Sequence, residues 1–150
     1  MSWWRVFRAR VVYMRGSLHR YFGNRAGFRR EHENAVRCFS RAVELDPDLR
    51  AARLDRGILF WREMDRVPEA LADFTALLAA DPTYGPALLN RGLALQAAGR
   101  FAEALADLEA YGQMPARDPE YAVYAQRIAR TLREVLSDQG EAGEAEDAGK

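Results

Sequence analysis

The stretch "ELDPDLRAARLDRG", residues 44–57, decides the fold because it returns as "AADPTYGPALLNRG", residues 79–92, with Asp-Pro and Arg-Gly in register. A residue before proline is driven out of the α region, and proline cannot continue a helix ladder. Asp46-Pro47 and Asp81-Pro82 therefore each end one helix and begin a corner. Working outward, Gly23, Gly57 and Gly92 are spaced by 34 and 35 residues, and Ala35, Ala70 and Ala104 by 35 and 34. Phe39, Phe74 and Leu108 follow those alanines by four. Independent columns that keep one period are the mark of a repeat array.

Each period reads as a pair of helices. In "PALLNRGLALQAAGRFAEALADLEAYG" the apolar residues Leu88, Leu95, Phe101, Ala104, Leu105 and Leu108 recur at helical steps, and Gly99 interrupts them where a left-handed residue ends a first helix. The glycine and alanine columns are expected where the two antiparallel helices approach most closely, since a bulky side chain there would push them apart.

The combined pattern, "ARLDRGILF" with "ALADF" and "DP", then "ALLNRGLAL" with "ALADL", resembles the tetratricopeptide repeat (TPR) family. The resemblance covers residues 16–118 as three units, 16–49, 50–84 and 85–118, of which the first is degenerate before Ala35 and the second holds one extra residue around "EMDRVPEA". Arg56 and Arg91 stand where the family pattern has leucine before the glycine. Segment 119–137 looks like the family's capping helix. The resemblance implies an all-α, right-handed superhelix of three helix-turn-helix hairpins with a C-terminal capping helix and an N-terminal amphipathic helical extension. Residues 138–150 hold five acids, three glycines and no large apolar side chain, and are expected to form a disordered acidic tail.

Composition bounds the rest. A chain of 150 residues, 49% hydrophobic and 29% charged, suits a soluble domain with a sizeable core. The single cysteine, Cys38, allows no internal disulfide and no cysteine-based zinc site. With no run long enough to span a membrane and no signal-like N-terminus, a cytoplasmic location is expected. The zero net charge hides an asymmetry, because residues 1–30 carry eight arginines and no acid. A cationic start leads an acidic body.

No catalytic constellation is visible. His19 and His32 lack a paired carboxylate or zinc-ligand spacing, Cys38 reads as a small buried hydrophobe, "GNRAG" reads as a helix interruption, and the corner acids read as helix caps. No cofactor, no metal and no enzymatic activity are expected. What the resemblance implies instead is a groove lined by first helices: Leu54, Asp55, Ile58, Trp61 and Arg62 from the second unit, Leu89, Asn90, Leu93 and Gln96 from the third, and Val123, Tyr124 and Arg127 from the capping helix. Such a groove suits a protein or peptide partner held by an adaptor, scaffold or assembly factor. Chaperone-binding members of the family hold a C-terminal carboxylate with basic residues and asparagines. The matching positions here are Arg20, Asn24, Asp55, Pro86 and Asn90, and Asp55 would repel the carboxylate, so the Hsp70/Hsp90 clamp type is not expected.

The N-terminal segment 1–15 reads as a basic, aromatic arm. Trp3, Trp4, Phe7, Val11, Met14, Leu18, Tyr21 and Phe22 fall in one arc of a continuous amphipathic helix, flanked by Arg8 and Arg15 and opposed by Arg5 and Arg20, whose C-terminal half doubles as the first helix of the first repeat. From Leu18 onward this stripe is expected to be core. The half before Gly16 has three open fates: a cap on the fold, a helix in an anionic membrane interface, or a docking segment for a protein. The membrane fate gives the alternative reading of the chain as a membrane-peripheral scaffold. Nucleic acid is not expected, because the acidic body offers no continuing basic track.

Overall fold

The computed structural model describes residues 2–115 and 118–147, with side chains to Asp138. Seven helices account for the described chain: α1 (Trp3–Ala26), α2 (Arg29–Leu45), α3 (Arg50–Glu63), α4 (Val67–Ala80), α5 (Gly85–Ala97), α6 (Phe101–Gly112) and α7 (Pro119–Asp147). No strand occurs among the described residues. The helices fall into two compact units, Met1–Pro82 with α1 to α4 and Thr83–Lys150 with α5 to α7. The three helical hairpins are TPR-like, α1/α2 and α3/α4 in the first unit and α5/α6 in the second.

The punctuation works as its chemistry requires. Asp46 and Asp81 take nearly the same extended backbone, φ −140° and −150°, and each donates its N–H back to the helix it ends, at Ala42 and Leu77. They are the C-caps of α2 and α4, acting through the backbone. The Asp46 carboxylate accepts the N–H of Asp48 at 3.2 Å inside the turn, and α3 begins after Leu49, which has no capping side chain. The hairpin loops share a left-handed residue: Gly27 at φ 67°, Asp65 at φ 54° and Gly99 at φ 74°. Asp65 takes this conformation without glycine, as short polar residues do.

The close crossings are between glycines and rings or leucines. A Cβ on Gly57 would stand 2.6 Å from the Phe74 ring, and one on Gly92 would stand 2.9 Å from Leu108. In the first hairpin the equivalent contact belongs to Gly16, whose Cβ would meet the Phe39 ring at 2.7 Å, and not to Gly23, which abuts His32. The register of the first hairpin is therefore shifted by seven residues from the glycine column read in the sequence. Two helical turns separate Gly16 from Gly23 and return the same face, so the periodicity alone could not tell them apart.

The shift arises because both helices of the first hairpin are longer toward the loop. From crossing glycine to left-handed loop residue the steps are Gly16 to Gly27, Gly57 to Asp65 and Gly92 to Gly99, and only the first contains an extra turn. From loop to crossing side chain, Gly27 to Phe39 is likewise longer than Asp65 to Phe74 or Gly99 to Leu108. Two polar contacts across the hairpin serve this added length, His32 Nε2 with Asn24 Oδ1 at 2.9 Å and His19 Nδ1 with Glu31 Oε2 at 2.7 Å.

The arm, described from residue 2, runs without a break into the first helix of the first hairpin, as the one continuous helix read from its periodicity. Residues 3–15 are the first half of α1, Ala9 is fully buried, and the Tyr13 ring lies 5.6 Å from that of Phe39. The stripe from Leu18 onward, however, is not core. Ala9, Gly16 and Gly23 are the buried residues of α1, while Leu18, Tyr21 and Phe22 lie exposed on the opposite side. The small side turned inward because α2 approaches too closely to admit anything larger.

In the second unit α7 packs on α6 through Ala122, Ala125, Ala129 and Leu132, and Arg133 reaches Glu109 at 2.9 Å. Asp118 caps α7 by accepting the N–H of Glu120 at 2.9 Å. The helix continues past the expected boundary at 137 to Asp147, where a disordered tail was expected. Residues 148–150 of that tail lie outside the described residues.

Ala104 is fully buried beside the Gly92 crossing. Ala104→Leu is expected to overpack it and lower stability by about 1–3 kcal/mol, read as a shift in the thermal midpoint. An unchanged midpoint would show that α5 and α6 are not in close contact there.

Candidate functional site

The first unit carries two faces worth building residue by residue. On α3, Leu54, Ile58 and Trp61 are half-buried and Arg62 is exposed, its guanidinium 5.8 Å from the Trp61 ring centroid. Helical spacing sets Leu54, Ile58 and Trp61 on one side. The Trp61 indole N–H is shielded from solvent and has no acceptor among the described residues. Its position gives α3 a mostly apolar face with one guanidinium at the margin.

Asp55 does not belong to that face. It is buried, accepts the Tyr13 hydroxyl at 2.9 Å and pairs with Arg20 at 2.6 Å, tying α1 to α3. Burial first, and then the Asp55 carboxylate, hold the Tyr13 phenol above its usual pKa, so it remains a neutral donor. The expected repulsion of a ligand carboxylate by Asp55 is therefore largely offset by Arg20.

A second motif went unread in the sequence. Arg56 grips Asp73 with two nitrogens at 2.8 and 2.6 Å, and Arg91 grips Asp107 at 2.7 and 2.8 Å. Hydrogen bonding to Asp107 raises the Arg91 pKa, fixing its charge. Arg56 also donates to Ser40 of α2 at 3.0 Å, so it ties three helices together. The signal was present as Arg-Gly in the first helix and Ala-Asp before Phe74 or Leu108 in the second. These arginines explain the departure from the family's leucine: they form a fork with a buried carboxylate inside the hairpin.

The second face of this unit is the outer side of α1. Trp3, Trp4, Phe7, Val11, Met14, Leu18, Tyr21 and Phe22 are all exposed, Trp3 and Met14 by 68% each. Trp3, Trp4 and Phe7 pack on one another, with centroids 4.7 to 6.1 Å apart. Arg8 and Arg15 are exposed beside the stripe, and Arg5 donates to the carbonyl of Glu44 at 3.3 Å. Of the expected arm residues, Arg5 lies off this surface, on the side of Ala9 and α2, and the others follow the exposed stripe.

In the second unit, Leu93 and Gln96 are half-buried on α5, and Asn90 donates to the Pro86 carbonyl at 2.8 Å. Leu89 is only 7% exposed and serves the core instead of a binding face. Val123, Tyr124 and Arg127 are exposed on α7.

No family model matches the chain. Solved structures do. The first TPR domain of Spaghetti (RPAP3), bound to the HSP90 peptide SRMEEVD, matches at TM-score 0.73 and 21% identity over 87% of this chain and 94% of that one. The first TPR domain of human RPAP3 matches at TM-score 0.72 and 18% identity, covering 91% and 98% of the two chains. The TPR domain of Arabidopsis OM64 matches at TM-score 0.71 and 20% identity, covering 85% and 98%. The chain has a TPR-like fold.

Proposed function

We propose that the chain is a noncatalytic peptide-binding module, an adaptor or assembly factor whose ligand is held by first-helix faces such as that of α3. The observation that carries this reading is the α3 face, where Leu54, Ile58 and Trp61 stay partly open to solvent beside Arg62. Apolar side chains held on a rigid helix, with one aromatic anchor and a charged margin, are what an extended or helical peptide needs. Leu93 and Gln96 of α5 and Val123, Tyr124 and Arg127 of α7 extend the candidate surface of the second unit. Helices α1 to α7 include none long and apolar enough to cross a membrane.

The test is selection of a displayed random-peptide library on the full chain. Enriched peptides are expected, and Ile58→Gln with Leu93→Gln is expected to abolish their binding at unchanged helicity. Loss of helicity would make those positions core, and retained binding with an intact fold would move the site elsewhere.

The ligand is proposed to be held otherwise than by its C-terminal carboxylate. With the first hairpin in its structural register, the family's carboxylate-holding positions shift from Arg20 and Asn24 to Tyr13 and Ser17, beside Asp55, Pro86 and Asn90. None of these five is basic. Titration with SRMEEVD, the peptide bound by the Spaghetti domain, is expected to give a Kd weaker than about 1 mM. Micromolar binding would overturn this and assign the chain to the carboxylate-holding type.

A further inference from the structure

The register of the first hairpin exposes an edge built to be covered. Val11 and Leu18 of α1 stand where Ala52 and Leu59 stand in α3, five residues before and two after the crossing glycine. In α3 those residues are 0% and 1% exposed, on the side where Asp55 meets Tyr13 and Arg20 of α1. In α1 they are 49% and 57% exposed. The sequence keeps large apolar groups at positions that, in the next hairpin, receive a helix.

The polar half of that interface is also incomplete. Arg15 is the counterpart of Arg56 and Arg91, but the position of Asp73 and Asp107 is held by Cys38. The fork therefore has a guanidinium and no carboxylate of its own. Around it α1 and α2 form a cleft of about 350 Å³ lined by Val12, Arg15, His19, Asn34, Arg37, Cys38 and Arg41. Arg41 pairs with Glu44 and His19 with Glu31, each at 2.7 Å, while Arg15 and Arg37 meet no carboxylate among the described residues, and these two keep the cleft cationic.

We propose that this edge docks an amphipathic helix of a partner protein, whose apolar face covers Val11, Leu18 and Phe22 and whose carboxylates meet Arg15, Arg37 and Arg41. The shape is that of a helix seat, since α3 packs on the preceding hairpin, chiefly on α2, with the counterparts of Val11 and Leu18 buried. The charge selects an acidic partner, because the first 30 residues carry eight arginines and no acid. The same charge disfavours a second copy of α1 as occupant. A bilayer would wet the outer stripe but would not fill a cleft recessed between two helices. This edge is independent of the α3 face proposed to bind peptide.

The test uses the full chain and two synthetic amphipathic helical peptides, leucine-faced, one flanked by glutamates and the other by lysines. The glutamate peptide is expected to bind and to slow alkylation of Cys38, the only thiol, while the lysine peptide does neither. Arg15→Glu is expected to weaken binding by roughly tenfold or more. Leu18→Gln, at a site already exposed, is expected to weaken it with helicity unchanged, and Ile58→Gln with Leu93→Gln to leave it intact. Equal binding of both peptides, or of neither, overturns the proposal. Flotation with phosphatidylserine vesicles, without protection of Cys38 by the glutamate peptide, would reassign the stripe to a membrane. A dimer in sedimentation equilibrium that Leu18→Gln dissolves would reassign it to a second copy.

Discussion

Phe39→Ala is expected to cost the first unit about 3–5 kcal/mol, enough to remove most of the margin by which a small domain stays folded. The ring is fully buried, packs near Tyr13 and lies against the backbone of α1 at Gly16. Truncation leaves a void walled by two helices, and backbone cannot collapse into it as a flexible side chain could. Urea unfolding read by circular dichroism gives the number. A loss below about 1 kcal/mol would mean that α1 and α2 do not cross at this pair. The reciprocal change, Gly16→Ala, overpacks the same contact and is expected to be relieved in part by Phe39→Leu, the residue that α6 uses opposite Gly92.

Asp73→Ala is the second large effect, expected at about 3 kcal/mol. The Asp73 side chain is only 5% exposed and Arg56 19%, so removing the carboxylate strands a guanidinium that has little access to water. The value sits at the low end for a broken buried pair because Arg56 keeps that access and its bond to Ser40. Replacing both partners, Arg56→Met with Asp73→Leu, is expected to recover most of the loss, since no charge is then left unpaired. If the single and double variants unfold at the same urea concentration, the fork carries no such penalty.

Much of the architecture was legible because its signals are local. Proline at the corners, a left-handed glycine at Gly99 and the alanine column of the second helices each act within a few residues, and each stands where it was read. The glycine column failed in the first hairpin for a definite reason. Gly16 and Gly23 share a helix face, and only the contact with Phe39 separates them. The α1 stripe misled in a deeper way. Helical periodicity locates an apolar face but says nothing about which side meets the core when the opposite side is Ala9, Gly16 and Gly23. Close backbone approach reverses the usual rule that the large residues go inside. At the candidate site, Asp55 and Leu89 were assigned to the groove from first-helix position alone. Their burial depends on neighbouring side chains, Tyr13 and Arg20 in the case of Asp55, which no single-helix pattern contains.

The matched lengthening of α1 and α2 bears on how such a chain can change in the course of descent. An insertion inside one helix would rotate every later residue off its face, by 100° for each residue added. An insertion at the loop near Gly27 avoids this, because the new residues join the ends of both helices and leave the crossing of Gly16 with Phe39 in phase. Seven residues supply about one turn to each side. A single in-frame duplication at the hairpin tip is therefore a sufficient genetic event, and shorter cousins of this chain should differ there by a block of about that size, with both flanking helices otherwise unbroken.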